Sequence, residues 1–184
     1  MLFLVQFFLI GIITGFLFPP FFLLPIGFFI YPFLFFLLNN KEYMLLSYPF
    51  HFLSGLLYGL GLLIILLVWI KEPFLLDSFT EKLSIFSYLL IFYCSLYFGF
   101  SFLVLKYFTN LISKFIILPV IIVVSEIFIA NVGYGFPWIS HSLIFSSNPL
   151  AFTTIYFFGT YVLSYVTIAV FLIPVIFLFC KNIK

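Results

Sequence analysis

The sequence predicts an all-α integral membrane protein of about six transmembrane helices, the first two forming a tight hairpin. Three observations predict it. Of 184 residues, 66% are hydrophobic and only 7% are charged, and the mean hydropathy is +1.40. A water-soluble domain carries roughly a quarter charged residues, so this much apolar surface needs bilayer hydrocarbon as its solvent. Long apolar runs also alternate with short polar connectors, the pattern of successive membrane crossings. No internal repeat of about 20 to 50 residues and no low-complexity linker interrupts them, so one helical domain over 1–184 is expected.

The first apolar run, 3–18, carries Gly11 and Gly15, a spacing that lets two helices approach closely. It lacks a basic leader and a small-residue cleavage site, so it is expected to stay as a first helix. Pro19-Pro20 ends it, and a second run follows over 22–38 with Pro25 near its start and Pro32 inside. The third, 45–70, has Gly55, Gly59 and Gly61, and Trp69 at its far end as an interfacial anchor. The fourth covers 83–105, the fifth 115–130 with Pro119 inside, and the sixth 149–180 with Pro174 bending its end.

Six spans put both termini on one side. Connectors after spans four and six carry two Lys each and no acid, and the connector after span two balances Lys41 against Glu42. On the opposite side, Lys71 and Lys82 face Glu72, Asp77 and Glu81, and 131–148 has no Lys. Lysine enrichment marks cytoplasmic connectors, so cytoplasmic termini are expected, with Trp69 and 131–148 on the outer side.

Candidate chemistry concentrates in Ser125–Trp138. Glu126 is the only acid in the last hundred positions, and an ionisable group at the margin of an apolar helix is a functional-site hypothesis. Asn131, Gly133 and Gly135 break the helix, and Phe136-Pro137-Trp138 ends at an interfacial tryptophan. Other candidates are weaker. Cys94 and Cys180 stand in apolar segments without a neighbouring His or a second Cys at metal spacing, and read as buried packing residues. His51 reads as a hydrogen-bonded packing histidine. Glu72, Asp77 and Glu81 have no regular spacing and read as a solvated connector. No metal, no cofactor and no catalytic set is expected, and a net charge of +2 is too small for nucleic-acid binding.

A Glu followed nine residues later by Gly135-Phe136-Pro137-Trp138, then Pro149 and Gly159-Thr160-Tyr161-Val162-Leu163-Ser164, resembles the membrane domain of apolipoprotein N-acyltransferases. Gly15-Phe16-Leu17-Phe18-Pro19-Pro20 is similar to that family's early hairpin, and Gly55 to Gly61 with Trp69-Ile70 to its third helix. The resemblance implies a multi-pass protein of the bacterial inner (cytoplasmic) membrane, with the Glu126–Trp138 loop toward the periplasm. It implies lipoprotein biosynthesis: an acyl chain moves from phospholipid to the N-terminal diacylglyceryl-cysteine of a lipoprotein substrate. Glu126, Gly135, Phe136, Pro137, Trp138 and Trp69 are the lipid- or substrate-facing residues it implies.

The family's chemistry is done by a nitrilase-like domain with a Glu, Lys and Cys, which the sequence to Lys184 does not contain. A separately encoded nitrilase-like domain is therefore an expected partner, and the chain reads as part of a split enzyme, a truncated product or an inactive remnant. The family's Arg three residues after the Glu is replaced by Ile129. A small transporter or channel-like protein using Glu126 stays open as the alternative.

Overall fold

A computed structural model describes residues 2–132 and 135–181. Among these, the chain forms ten α-helices and no strand: α1 Leu2–Gly15, α2 Gly27–Leu38, α3 Lys41–Leu45, α4 Tyr48–Leu67, α5 Glu72–Leu75, α6 Ile85–Leu105, α7 Leu111–Asn131, α8 Pro149–Phe158, α9 Thr160–Phe171 and α10 Ile173–Lys181. Tyr48–Leu75, Glu81–Leu105, Leu111–Asn131 and Thr160–Leu178 are each long and apolar enough to cross a membrane. Leu2–Gly15 and Leu24–Leu38 are shorter apolar segments, joined through Pro19-Pro20 into the expected hairpin. Leu23 N–H closes it on Phe16 O at 3.0 Å.

Local sequence sets the helix starts. Asn40, Asn110 and Asn148 each accept a first-turn N–H with their side chains, capping α3, α7 and α8. Pro49 and Pro149 occupy first-turn positions, where no intrahelical N–H is needed. α2 and α7 continue through Pro32 and Pro119. The stretch 149–180, read from sequence as one span, is divided among α8, α9 and α10. Gly159 at φ 78 adopts a conformation that leaves helical geometry, and Leu172 ends α9 two residues before Pro174.

α4 is the central helix, with α1 on one face and α6 on another. Gly11, read as a close-approach point, acts that way, and Gly55 and Gly61 on α4 do the same. A Cβ at Gly61 would collide with the carbonyl of Phe8 on α1, one at Gly11 with the carbonyl of Tyr58 on α4, and one at Gly55 with the carbonyl of Phe98 on α6. Backbone thus touches backbone on both sides of α4, where van der Waals contact must drive association because lipid tails are as apolar as the helices. Tyr58, Phe98, Phe102, Phe7 and Leu62 fill the core between them.

The antiparallel run of helices gives the bundle two chemically different ends. One gathers Trp69, Trp138, Phe18 and Leu143. The other gathers Lys106, Lys114, His51 and Tyr43. Gly133, and the side chain of Cys180, lie outside the described residues.

Candidate functional site

At the tryptophan end, α7 stops at Asn131 and the chain turns back across the bundle. Gly135 makes the turn at φ 66, and a Cβ there would stand 2.5 Å from the carbonyl oxygen of Ala130. Only glycine accepts both the conformation and the proximity. The turn brings Phe136 N–H to Ile129 O at 2.8 Å. Phe136 is half-buried in a hollow beside Cys94, Tyr93 and Ile129, while Pro137 and Trp138 reach the surface.

Trp138 stacks on Phe136 with ring centroids 6.2 Å apart and meets Trp69 at 5.7 Å. Trp69 is held by its indole N–H, which donates to Leu66 O at 2.8 Å. The two rings are 60% and 47% exposed. With Pro137, Phe18, Pro19 and Leu143 they line an open, mostly apolar groove of about 420 Å³. Amphipathic rings of this kind settle where acyl chains meet head groups.

Beneath the groove lies a buried polar cluster. Glu126, fully buried near the end of α7, accepts the backbone N–H of His141 at 3.0 Å on Oε1 and a second hydrogen bond there from His141 Nδ1. Against a carboxylate, which only accepts, Nδ1 is the donor. Nε2, on the far side of the ring, is hydrogen-bonded to the phenol of Tyr31 on α2. Phe18 from the hairpin sets its ring edge-on to the imidazole at 5.0 Å. Ser140 and Ser142, on either side of His141, both reach Ser164 on α9: Ser140 Oγ lies 2.8 Å from Ser164 Oγ, and Ser142 N–H donates to it at 3.0 Å. One loop is thereby tied to α2, α7, α9 and the hairpin. Glu126 Oε2 is buried without a hydrogen-bond partner.

A Tyr–His–Glu chain has the donor and acceptor order of a proton relay. All three residues are buried, and Phe18 covers the imidazole, so no reacting group reaches them. The arrangement fixes the loop. Trp69, Pro137 and Trp138 meet in one groove as a unit; Phe136 supports it from below, and Gly135 shapes the turn. Glu126 sits underneath and does not line that groove.

His141 was not singled out by the sequence, and it supplies the partner that Glu126 lacks at Ile129. The available signal was that His141 is one of two histidines and lies between two serines in a loop. Ser164 and Tyr161 of the Gly-x-Tyr-x-x-Ser run also acquire roles, since Asn131 Nδ2 donates to Tyr161 Oη at 3.4 Å.

A family model described as apolipoprotein N-acyltransferase N-terminal domain matches residues 10–173. The chain belongs to that family. The matched span runs from within α1 to the start of α10 and so covers Glu126, the Gly-Phe-Pro-Trp loop and Ser164 of this chain. Neither the curated proteins nor the solved structures include a match to the chain. Among the described residues, no three His, Cys, Asp or Glu side chains come together as a metal site. Cys94 is buried as a free thiol in α6, consistent with a packing role.

Proposed function

We propose that this N-terminal domain is the lipid-holding membrane part of an N-acyltransferase system that acylates the N-terminal diacylglyceryl-cysteine of bacterial lipoproteins. The observation that carries this reading is the groove between Trp69 and Trp138, built on a loop held by α2, α7, α9 and Phe18 of the hairpin turn. It is open and apolar, and has the dimensions of an acyl-chain segment and not of a folded partner. Phospholipid and lipoprotein substrate enter from the bilayer at this end; the lysine distribution supports an outer-side location for it, and family membership supports the periplasmic face of the inner membrane.

Acyl transfer needs a thiolate with a base beside it and donors aimed at the developing oxyanion. The described residues offer no such group at the groove, so the chemistry is assigned to a nitrilase-like domain, continuous with this region or encoded apart. The role of the present residues is to position the lipid, which lowers the entropic part of the barrier. A transporter using Glu126 would require its carboxyl to open to water, and the His141 and Phe18 contacts favour a structural role instead.

Reconstituted with a nitrilase-like domain, the chain carrying Trp138→Ala should acylate a diacylglyceryl-cysteine peptide about two- to twelvefold less efficiently. That range corresponds to loss of roughly 0.5–1.5 kcal/mol of aromatic contact. The effect should fall mainly on KM, because the ring holds substrate and does not touch the reacting atoms. Unchanged kinetics would remove the groove from the mechanism.

A further inference from the structure

The opposite end of the bundle contains a second built pocket that acyl transfer does not use. It occupies about 200 Å³ where the end of α2, α3, the start of α4 and the α6–α7 turn converge. Its polar lining is Tyr43, His51, Lys106, Thr109 and Lys114. Lys114 is 4% exposed, and its ammonium donates to the α2 terminal carbonyl of Leu38 at 2.8 Å. Lys106 donates to Leu46 O and lies 4.5 Å from the centroid of the Tyr48 ring.

A lysine ammonium has three N–H donors, so each lysine retains two beyond its main-chain bond. His51 donates to Ser47 O through Nδ1 at 3.1 Å, which leaves Nε2 unassigned. A further feature is independent of charge. Tyr43 is 1% exposed, and its phenolic oxygen, beside the Ser54 side chain, is buried without a well-formed hydrogen bond. Burial holds the phenol above its ordinary pKa, so it remains a neutral O–H donor. A buried donor left unpaired is destabilising unless something accepts from it.

Among the described residues, no carboxylate answers these cations. Of the five acids, Glu72, Asp77 and Glu81 lie on the connector at the tryptophan end and Glu126 is engaged by His141. Glu42 is exposed beside Tyr43 and is not part of the pocket wall. Two lysines with spare N–H donors, a histidine and a poorly satisfied phenol around one cavity form a set with more donors than acceptors. Strong tetrahedral acceptors satisfy such sets, and basic pockets between membrane helices bind anionic head groups.

We propose that this pocket binds a phosphate oxyanion, presented as the head group of an anionic phospholipid in the leaflet at this end or as free phosphate. The site is distinct from the Trp69–Trp138 groove and does not depend on the acyltransfer reading. Its size admits a phosphate with a short stub of glycerol, while the acyl chains would run outward between helices.

Purified protein in a non-ionic detergent is titrated with dihexanoyl phosphatidylglycerol, dihexanoyl phosphatidylcholine and inorganic phosphate, following the thermal midpoint. Phosphatidylglycerol should raise the midpoint saturably, with phosphatidylcholine weaker. Lys106→Gln and Lys114→Gln should each reduce apparent affinity about tenfold or more, as expected for loss of a charge-assisted bond. Tyr43→Phe separates this from a structural role. It should weaken binding several-fold while changing the ligand-free midpoint little, because without ligand the phenol has only the Ser54 side chain beside it. Equal shifts by inorganic phosphate at matched concentration would identify free phosphate as the source and still support the site. Ligand-independent midpoints in wild type, or affinities unchanged by Tyr43→Phe, would overturn the proposal even if a lysine variant fails to fold.

Discussion

Replacing His141 with alanine is expected to destabilise the protein by about 2–5 kcal/mol, because two buried groups lose their partner at roughly 1–3 kcal/mol each. The substitution takes a hydrogen-bond partner from Glu126 Oε1 and from the Tyr31 phenol at once, both fully buried. Glu126 Oε2 already has no partner, so the truncated site would hold a carboxyl satisfied by one backbone N–H. Glu126→Gln should cost less, because an amide oxygen still accepts both bonds at the Oε1 position. The double variant should cost less than the sum of the two singles, since the pair acts as a unit. Unfolding of the detergent-solubilised protein checks this. A cost below about 1 kcal/mol for His141→Ala would show that the loop is held by Ser164 and backbone contacts alone.

Gly61→Leu is expected to have the second large effect. The first added carbon would meet the carbonyl of Phe8, a backbone atom that cannot swing aside, so α1 and α4 must separate. Overpacking in a tight interface costs about 1–3 kcal/mol, and collision with main chain belongs at the top of that range or beyond. Gly159→Ala is the control. No atom lies within 4 Å of a Cβ built there, so it reads backbone strain alone: φ 78 with ψ 161 is essentially a glycine-only conformation, at about 1–3 kcal/mol. A cost below about 1 kcal/mol for Gly61→Leu would mean that α1 and α4 can slide apart cheaply.

The fold class was legible because the solvent is written in composition, and 7% charge leaves few alternatives to hydrocarbon burial. The hairpin and the glycine contacts were legible because proline and glycine act locally, at the positions where they stand. The Trp69–Trp138 pairing was half legible. Each residue marks a helix end on the same side, but their 5.7 Å contact is tertiary. His141 was not legible, for a physical reason. A partner four residues away on the same helix leaves a periodic trace, whereas His141 reaches Glu126 from a loop fifteen residues on. The lysine pocket escaped for the same cause: Tyr43 and Lys114 stand on different elements, and only the fold brings them to one cavity.

The central claim, that the groove holds lipid, has a built-in reporter. The chain contains two tryptophans, and both line the groove, so its intrinsic tryptophan fluorescence comes from that place alone. The most direct measurement is a titration of the protein in bilayers with a brominated diacylglyceryl-cysteine peptide, following tryptophan quenching. The account predicts saturable quenching that exceeds that from brominated bulk lipid at the same mole fraction and is competed by unbrominated peptide. Quenching that rises linearly with bromine content and ignores the competitor would contradict it.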